Sequence, residues 1–168
     1  MLALTRLALA AVFAAGALFS QNTLAQSKAN DIAVDALPAE VKAVLTQYVG
    51  LLLAAKSVDE AATALRAIAG GGLVNEDGAT LRADVPRFAL KKDFDGAKNY
   101  ASPLAITRVN ASPSNGQGFG PSAIKGKVYK IWIGKKEGSA GMPAPISIMV
   151  PEGHATIKTA KVVNIGSL

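Results

Sequence analysis

Residues 123–134, Ala-Ile-Lys-Gly-Lys-Val-Tyr-Lys-Ile-Trp-Ile-Gly, constrain the fold more than any other stretch of the chain. Val128, Tyr129, Ile131, Trp132 and Ile133 are β-branched or aromatic, the types that fit a pleated and half-buried surface, and Gly134 and Gly138 close the run. This stretch holds the single Trp and is predicted to be a strand. From Leu104 onward apolar residues recur with a period of two, which gives four expected strands at 104–110, 123–133, 145–150 and 155–165. They are joined by the Ser/Gly/Asn/Pro-rich segment 111–122, by 134–144 and by Pro151-Glu-Gly-His154. Consecutive strands with no helix between them imply an antiparallel sheet.

The first half of the chain has a helical period instead. Over Pro38–Ala55 the positions Val41, Val44, Leu45, Tyr48, Leu52 and Ala55 recur at three and four, and Val49, Leu51 and Leu53 widen the stripe. Ser57-Val58-Asp59-Glu60 has the pattern of a capping box, and Val58, Ala61, Ala62, Leu65 and Ile68 continue an apolar face as far as Gly70-Gly71-Gly72. A third helical segment is expected from Val85-Pro86, with Phe88, Leu90, Phe94, Ala97 and Tyr100 supplying buried contacts and Lys91-Lys92-Asp93 on a solvated face. Helices first and strands second give an α+β class, with the helices covering one face of the sheet.

Lysine placement adds a geometric expectation. In the 123–133 strand Lys125 and Lys127 share one face while Lys130 falls on the other. If all three stay in water, the strand must change phase through a bulge or a strong bend, so a curved sheet is expected.

Three N-terminal helices followed by a long, bent antiparallel sheet resemble the cone-shaped NTF2-like superfamily, which includes ketosteroid isomerase-like and polyketide cyclase-like proteins. The resemblance covers about residues 37–168 and rests on element order, the wide apolar face of Pro38–Ala55 and the Lys125–Ile133 strand. It implies a four-stranded curved sheet with a pocket between the concave face and the helices. The short strand that the superfamily places between its helices has only Gly72-Leu73-Val74 as a candidate here. Enzymes of that superfamily commonly handle a proton with a carboxylate or His in the pocket lining. The expected strands contain no Asp or Glu, and the candidate carboxylates are Asp84, Asp93 and Asp95 on the helical side. An isomerase or dehydratase is thus the second alternative function.

Residues 1–25 read as a secretory signal peptide, with Arg6, an apolar run from Leu7 to Phe19 and the small-residue end Thr23-Leu24-Ala25. The apolar run of about 13 residues is shorter than the roughly 20 that span a bilayer, so stable membrane insertion is not expected. Residues 26–36 follow as a polar, flexible leader, and 37–168 form one domain. The location is then the bacterial periplasm or the cell exterior. With no Cys there are no disulfides, thiolate metal sites or Cys nucleophiles. One His, in a turn, does not suggest a His-rich metal centre, and neither metal nor cofactor is expected.

Net charge is +6. The surplus lies late in the chain, where Arg108, Lys125, Lys127, Lys130, Lys135, Lys136, Lys158 and Lys161 face only Glu137 and Glu152. Two binding functions follow. The first is a non-catalytic domain with an apolar pocket for a small ligand or protein partner, lined by Tyr48, Phe88, Phe94, Tyr129 and Trp132. The alternative is a basic surface of Lys125, Lys127, Lys130, Lys135 and Lys136 that takes a polyanion or anionic lipid, with export arguing against nucleic acid. Ser114-Asn-Gly-Gln-Gly-Phe-Gly120 joins two strands, unlike a dinucleotide loop, and is expected to be a flexible contact loop with Phe119 at its tip. Gly141-Met-Pro-Ala-Pro145 is available to a partner or to a second copy in a homodimer.

Overall fold

The apolar stripe that follows Pro38 forms α1, Ala39–Ala54, and buries Val41, Leu45, Tyr48, Val49 and Leu52 in a computed structural model of the chain. Residues 30–142 and 145–168 are described, so the segment 1–25 assigned to export lies outside them. The stripe is narrower than the sequence suggests, because Leu53 is exposed. Helix α2, Val58–Leu65, starts on the expected cap: the Glu60 amide donates to Ser57 Oγ at 3.2 Å, and the Lys56 amide donates to Glu60 Oε2 at 2.9 Å. Beyond α2, Ile68–Gly70 does not continue the helix. It runs beside β5 instead, with Gly70 N–H bonded to Val162 O and Val162 N–H to Ile68 O.

The third helical region has three parts: a π-helical turn Val85–Ala89, helix α3 over Leu90–Gly96, and a 3₁₀ turn Ala97–Asn99. Its buried face is Val85, Leu90, Asp93, Ala97 and Tyr100, and Phe88 points to solvent at 72% exposure. Gly96 is required by a close approach, since a Cβ there would stand 2.6 Å from the Leu168 carbonyl carbon.

Five strands form one sheet in the order β1-β2-β3-β4-β5, namely Asp31–Ile32, Ile106–Gln117, Ile124–Ile133, Pro145–Pro151 and Lys161–Asn164. The pairs β2–β3, β3–β4 and β4–β5 are antiparallel. The expectation of four strands is corrected by β1, which lies within 26–36, too short to show alternation. Strand β2 extends through most of the segment assigned to a loop, and Pro113 is tolerated there because β1 pairs with only a short part of the outer edge of β2. The last strand is shorter than expected, since Thr156 and Ile157 give their amides to His154 rather than to a neighbouring strand.

No phase change occurs where the lysines suggest one. Pairing of β3 is continuous from Gly126 to Trp132 with both neighbours. The register shifts lie instead at Ile106/Arg108 and Ser114/Gln117 in β2 and at Ser147/Ile148 against β5. The lysines stay in water because cover changes sides along the strand. Helix-side residues Tyr129, Ile131 and Ile133 enter the main core with α1, β4 and β5. On the opposite face Ile124 and Val128 join Met149 and Val163 in a second, smaller cluster closed by Ile157. Lys125 and Lys127 lie beyond the helical cover, and Lys130 lies beyond the second cluster.

Candidate functional site

The sheet does not bring the five aromatic candidates around one space. Tyr48 and Tyr129 are buried in the main core and Phe94 packs against it, whereas Phe88 is exposed. Trp132, three positions from Tyr129, is half-buried on the opposite face of β3. Two of the open depressions among the described residues have volumes of about 270 and 290 Å³. One is lined by residues such as Asn115, Lys125, Glu152 and His154, the other by Val74, Asn75, Glu76, Arg82 and Phe119. None of the five aromatics lines either.

His154 in the first depression is fully engaged. Its Nδ1 accepts from the Thr156 and Ile157 amides at 3.2 and 2.9 Å, which leaves the proton on Nε2, 3.1 Å from Pro121 O. The ring therefore ties the 151–157 turn to the segment before β3. Phe119 beside the second depression has Arg82 5.9 Å from its ring centre. The backbone before it is docked rather than loose: Gly118, at φ +96°, lies where a Cβ would meet Gly71 O at 2.8 Å.

The three helical-side carboxylates all have structural partners. Asp84 pairs with Arg82 and Asp95 with Lys91, both at the surface. Asp93 is fully buried, not solvated as expected. It accepts from Tyr48 Oη at 2.7 Å, Gly166 N–H at 2.9 Å and Leu168 N–H at 2.8 Å, so it fastens the residues after β5 to the helical layer. A signal for this was present: Asp93 stands three residues after Leu90 and four before Ala97, on the apolar face. Burial, and then the charge and hydrogen bond of Asp93, raise the Tyr48 phenol well above its ordinary value. Burial and the same carboxylate also raise Tyr100, whose buried Oη has no hydrogen-bond partner among the described residues.

The basic candidates divide between faces. Lys125 and Lys127 project on the helix side, where Lys127 Nζ lies 5.5 Å from the Tyr129 ring centre, and Lys130 projects on the other side. Lys135 donates to Ala140 O and lies 5.6 Å from the Tyr100 ring, and Lys136 is exposed beside it. On the face of Lys130 the Arg108 guanidinium carbon sits 4.6 Å from the centre of the Trp132 ring, from the directly opposite position on β2. Arg108 belongs to the expected 104–110 strand and to the late charge surplus but is not among the basic candidates.

Among the described residues no cluster of three or more His, Asp or Glu side chains is placed to hold a metal ion, and no helix is long and apolar enough to cross a membrane. No family model, curated protein or solved structure matches the chain.

Proposed function

We propose that the chain is an exported, non-catalytic domain that binds a polyanion through its β-sheet, in preference to an apolar small-molecule pocket. One observation carries this. Lys125, Lys127 and Lys130 of β3 are exposed with no ion-pair partner among the described residues, β2–β5 contain no Asp, Glu or His, and the one acid near them is Glu152, beside Lys125. Exposed unpaired cations held on a rigid sheet are favourable counterions for a multivalent anion, because binding releases the small ions around it.

Export is supported by the n-region, apolar run and Thr23-Leu24-Ala25 of the N-terminus. Kinship with the NTF2-like cone is supported by helices that precede an antiparallel sheet and pack on one side of it. Retention of the full chain on heparin at increasing salt tests the function. Retention should fall steeply with salt, and neutralising a lysine that touches the ligand should lower the slope of log affinity against log salt by about 1. Weak retention that ignores salt would overturn the proposal. An intact mass measured after expression in a secreting host tests export, with loss of residues 1–25 expected.

A further inference from the structure

Polyanion binding leaves open which face of the sheet is used, and the two faces differ. Asn110, Lys130, Ser147 and Asn164 are successive cross-strand partners from β2 to β5. Directly paired residues point to the same side, so the four form a row perpendicular to the strands, about 14 Å long at one residue per strand spacing. The end of the row holds its side through a bulge. Ser147 pairs with Asn164 and Ile148 with Val162, which makes Val163 the extra residue and leaves Val163 and Asn164 both facing away from the helices. Lys130 and Asn164 are exposed, Asn110 is half-buried, and the small Ser147 is buried between its neighbours. The adjacent row on the same face is Arg108, Trp132 and Pro145.

We propose that this row is the binding track for a linear anionic polysaccharide lying across the strands, an assignment that rests on the polyanion function above. Lys130 meets the carboxylate or sulfate groups, and the exposed Asn164 amide hydrogen-bonds the sugar hydroxyls. Trp132 borders the track. The exposed Lys130 and Asn164 stand two strands apart, about 10 Å, close to the length of two sugar units, so an extended chain of rings can meet both without bending. Charge complementarity supplies the sign. Lys130 has no ion-pair partner among the described residues.

Two other polyanions fit this face less well. Single-stranded nucleic acid needs an open aromatic face for its bases, and Trp132 is flanked by the Arg108 guanidinium on one side and by Pro145 in the row on the other. An anionic membrane needs protruding apolar side chains, and the one large apolar side chain in these two rows, Trp132, is half-buried.

Trp132 is the chain's single Trp, so its fluorescence reports on this face alone. The full chain and its variants, with folding checked by thermal melting, are titrated with a heparin octasaccharide, an oligogalacturonate, oligo(dT) and phosphatidylglycerol vesicles. A saturable change in Trp emission is expected with the two saccharides, weakened about tenfold by Lys130→Ala. Asn164→Ala should weaken it less, and Lys125→Ala/Lys127→Ala by under about twofold, as expected of charges on the other face. If heparin retention depends on Lys125 and Lys127 and Trp emission does not move, the track is wrong while the polyanion function stands. If no polyanion is retained, both fail. An equal or stronger Trp response to oligo(dT) or to vesicles would overturn the polysaccharide assignment.

Discussion

Lys130 and Ile131 are neighbours in β3, yet one is exposed and the other fully buried in the main core. On the helix side β3 contributes Tyr129, Ile131 and Ile133 to a core that spans α1, α2, α3 and the sheet. On the other side it contributes Ile124 and Val128 to a cluster of four buried residues, and then Lys130 and Trp132 to a surface. Adjacent positions of one strand thus differ: Ile131 packs into the main core while Lys130 is left exposed beyond the smaller cluster. A flat alternation allows both, which is why no bulge is needed in β3.

The largest test of this contrast lies where the helix-side layer is fastened. Asp93→Ala strands the Tyr48 hydroxyl and the Gly166 and Leu168 amides in a buried site, and should lower stability by about 4 kcal/mol. Chemical denaturation measures it, and a loss below about 1 kcal/mol would mean that the fastening is not needed. Ile131→Ala follows, at about 3 kcal/mol, with Met149→Ala in the smaller cluster nearer 2 kcal/mol. Equal losses at these two positions would erase the distinction between the core and the minor cluster.

Tyr48→Phe should cost about 1 kcal/mol at neutral pH and also change the alkaline limb. Burial and the Asp93 carboxylate raise the folded-state value of the Tyr48 phenol above its ordinary 10.0. The stability it contributes is therefore complete below pH 10 and lost as pH rises through the raised value. Stability against pH above 10 should fall less steeply in Tyr48→Phe than in the parent, with a remainder from Tyr100. At the small end, Lys130→Ala should change stability by less than about 0.5 kcal/mol while weakening retention on heparin. A destabilisation as large as that of Ile131→Ala would break the division between the faces.

The elements legible in the sequence were those whose local signals agree with their packing. Helix α1, the Ser57–Glu60 cap, β3 and β4 fall close to where period and propensity place them. The misses have identifiable causes. Strand β2 runs on through Ser112-Pro113-Ser114, which reads as loop because only Val109 and Ala111 in this strand are buried and a sparsely paired edge accepts Pro. The strand expected from 155 begins at Lys161, because the ring of His154 takes two amides that a strand would need. Asp93 looked solvated beside Lys91 and Lys92 although its spacing from Leu90 and Ala97 puts it on the apolar face, and its three long-range partners make a buried carboxylate tolerable there. Of the site, the charge surplus and Trp132 were visible. The cross-strand row was not, since it depends on the register of four strands and on one bulge.

Lysine footprinting tests the division between faces most directly. The chain is acetylated with and without saturating heparin octasaccharide, and protection at each lysine is read by mass spectrometry. Strong protection of Lys130 with Lys125 and Lys127 modified as before is the predicted result. Protection of Lys125 and Lys127 with Lys130 left reactive would contradict the account.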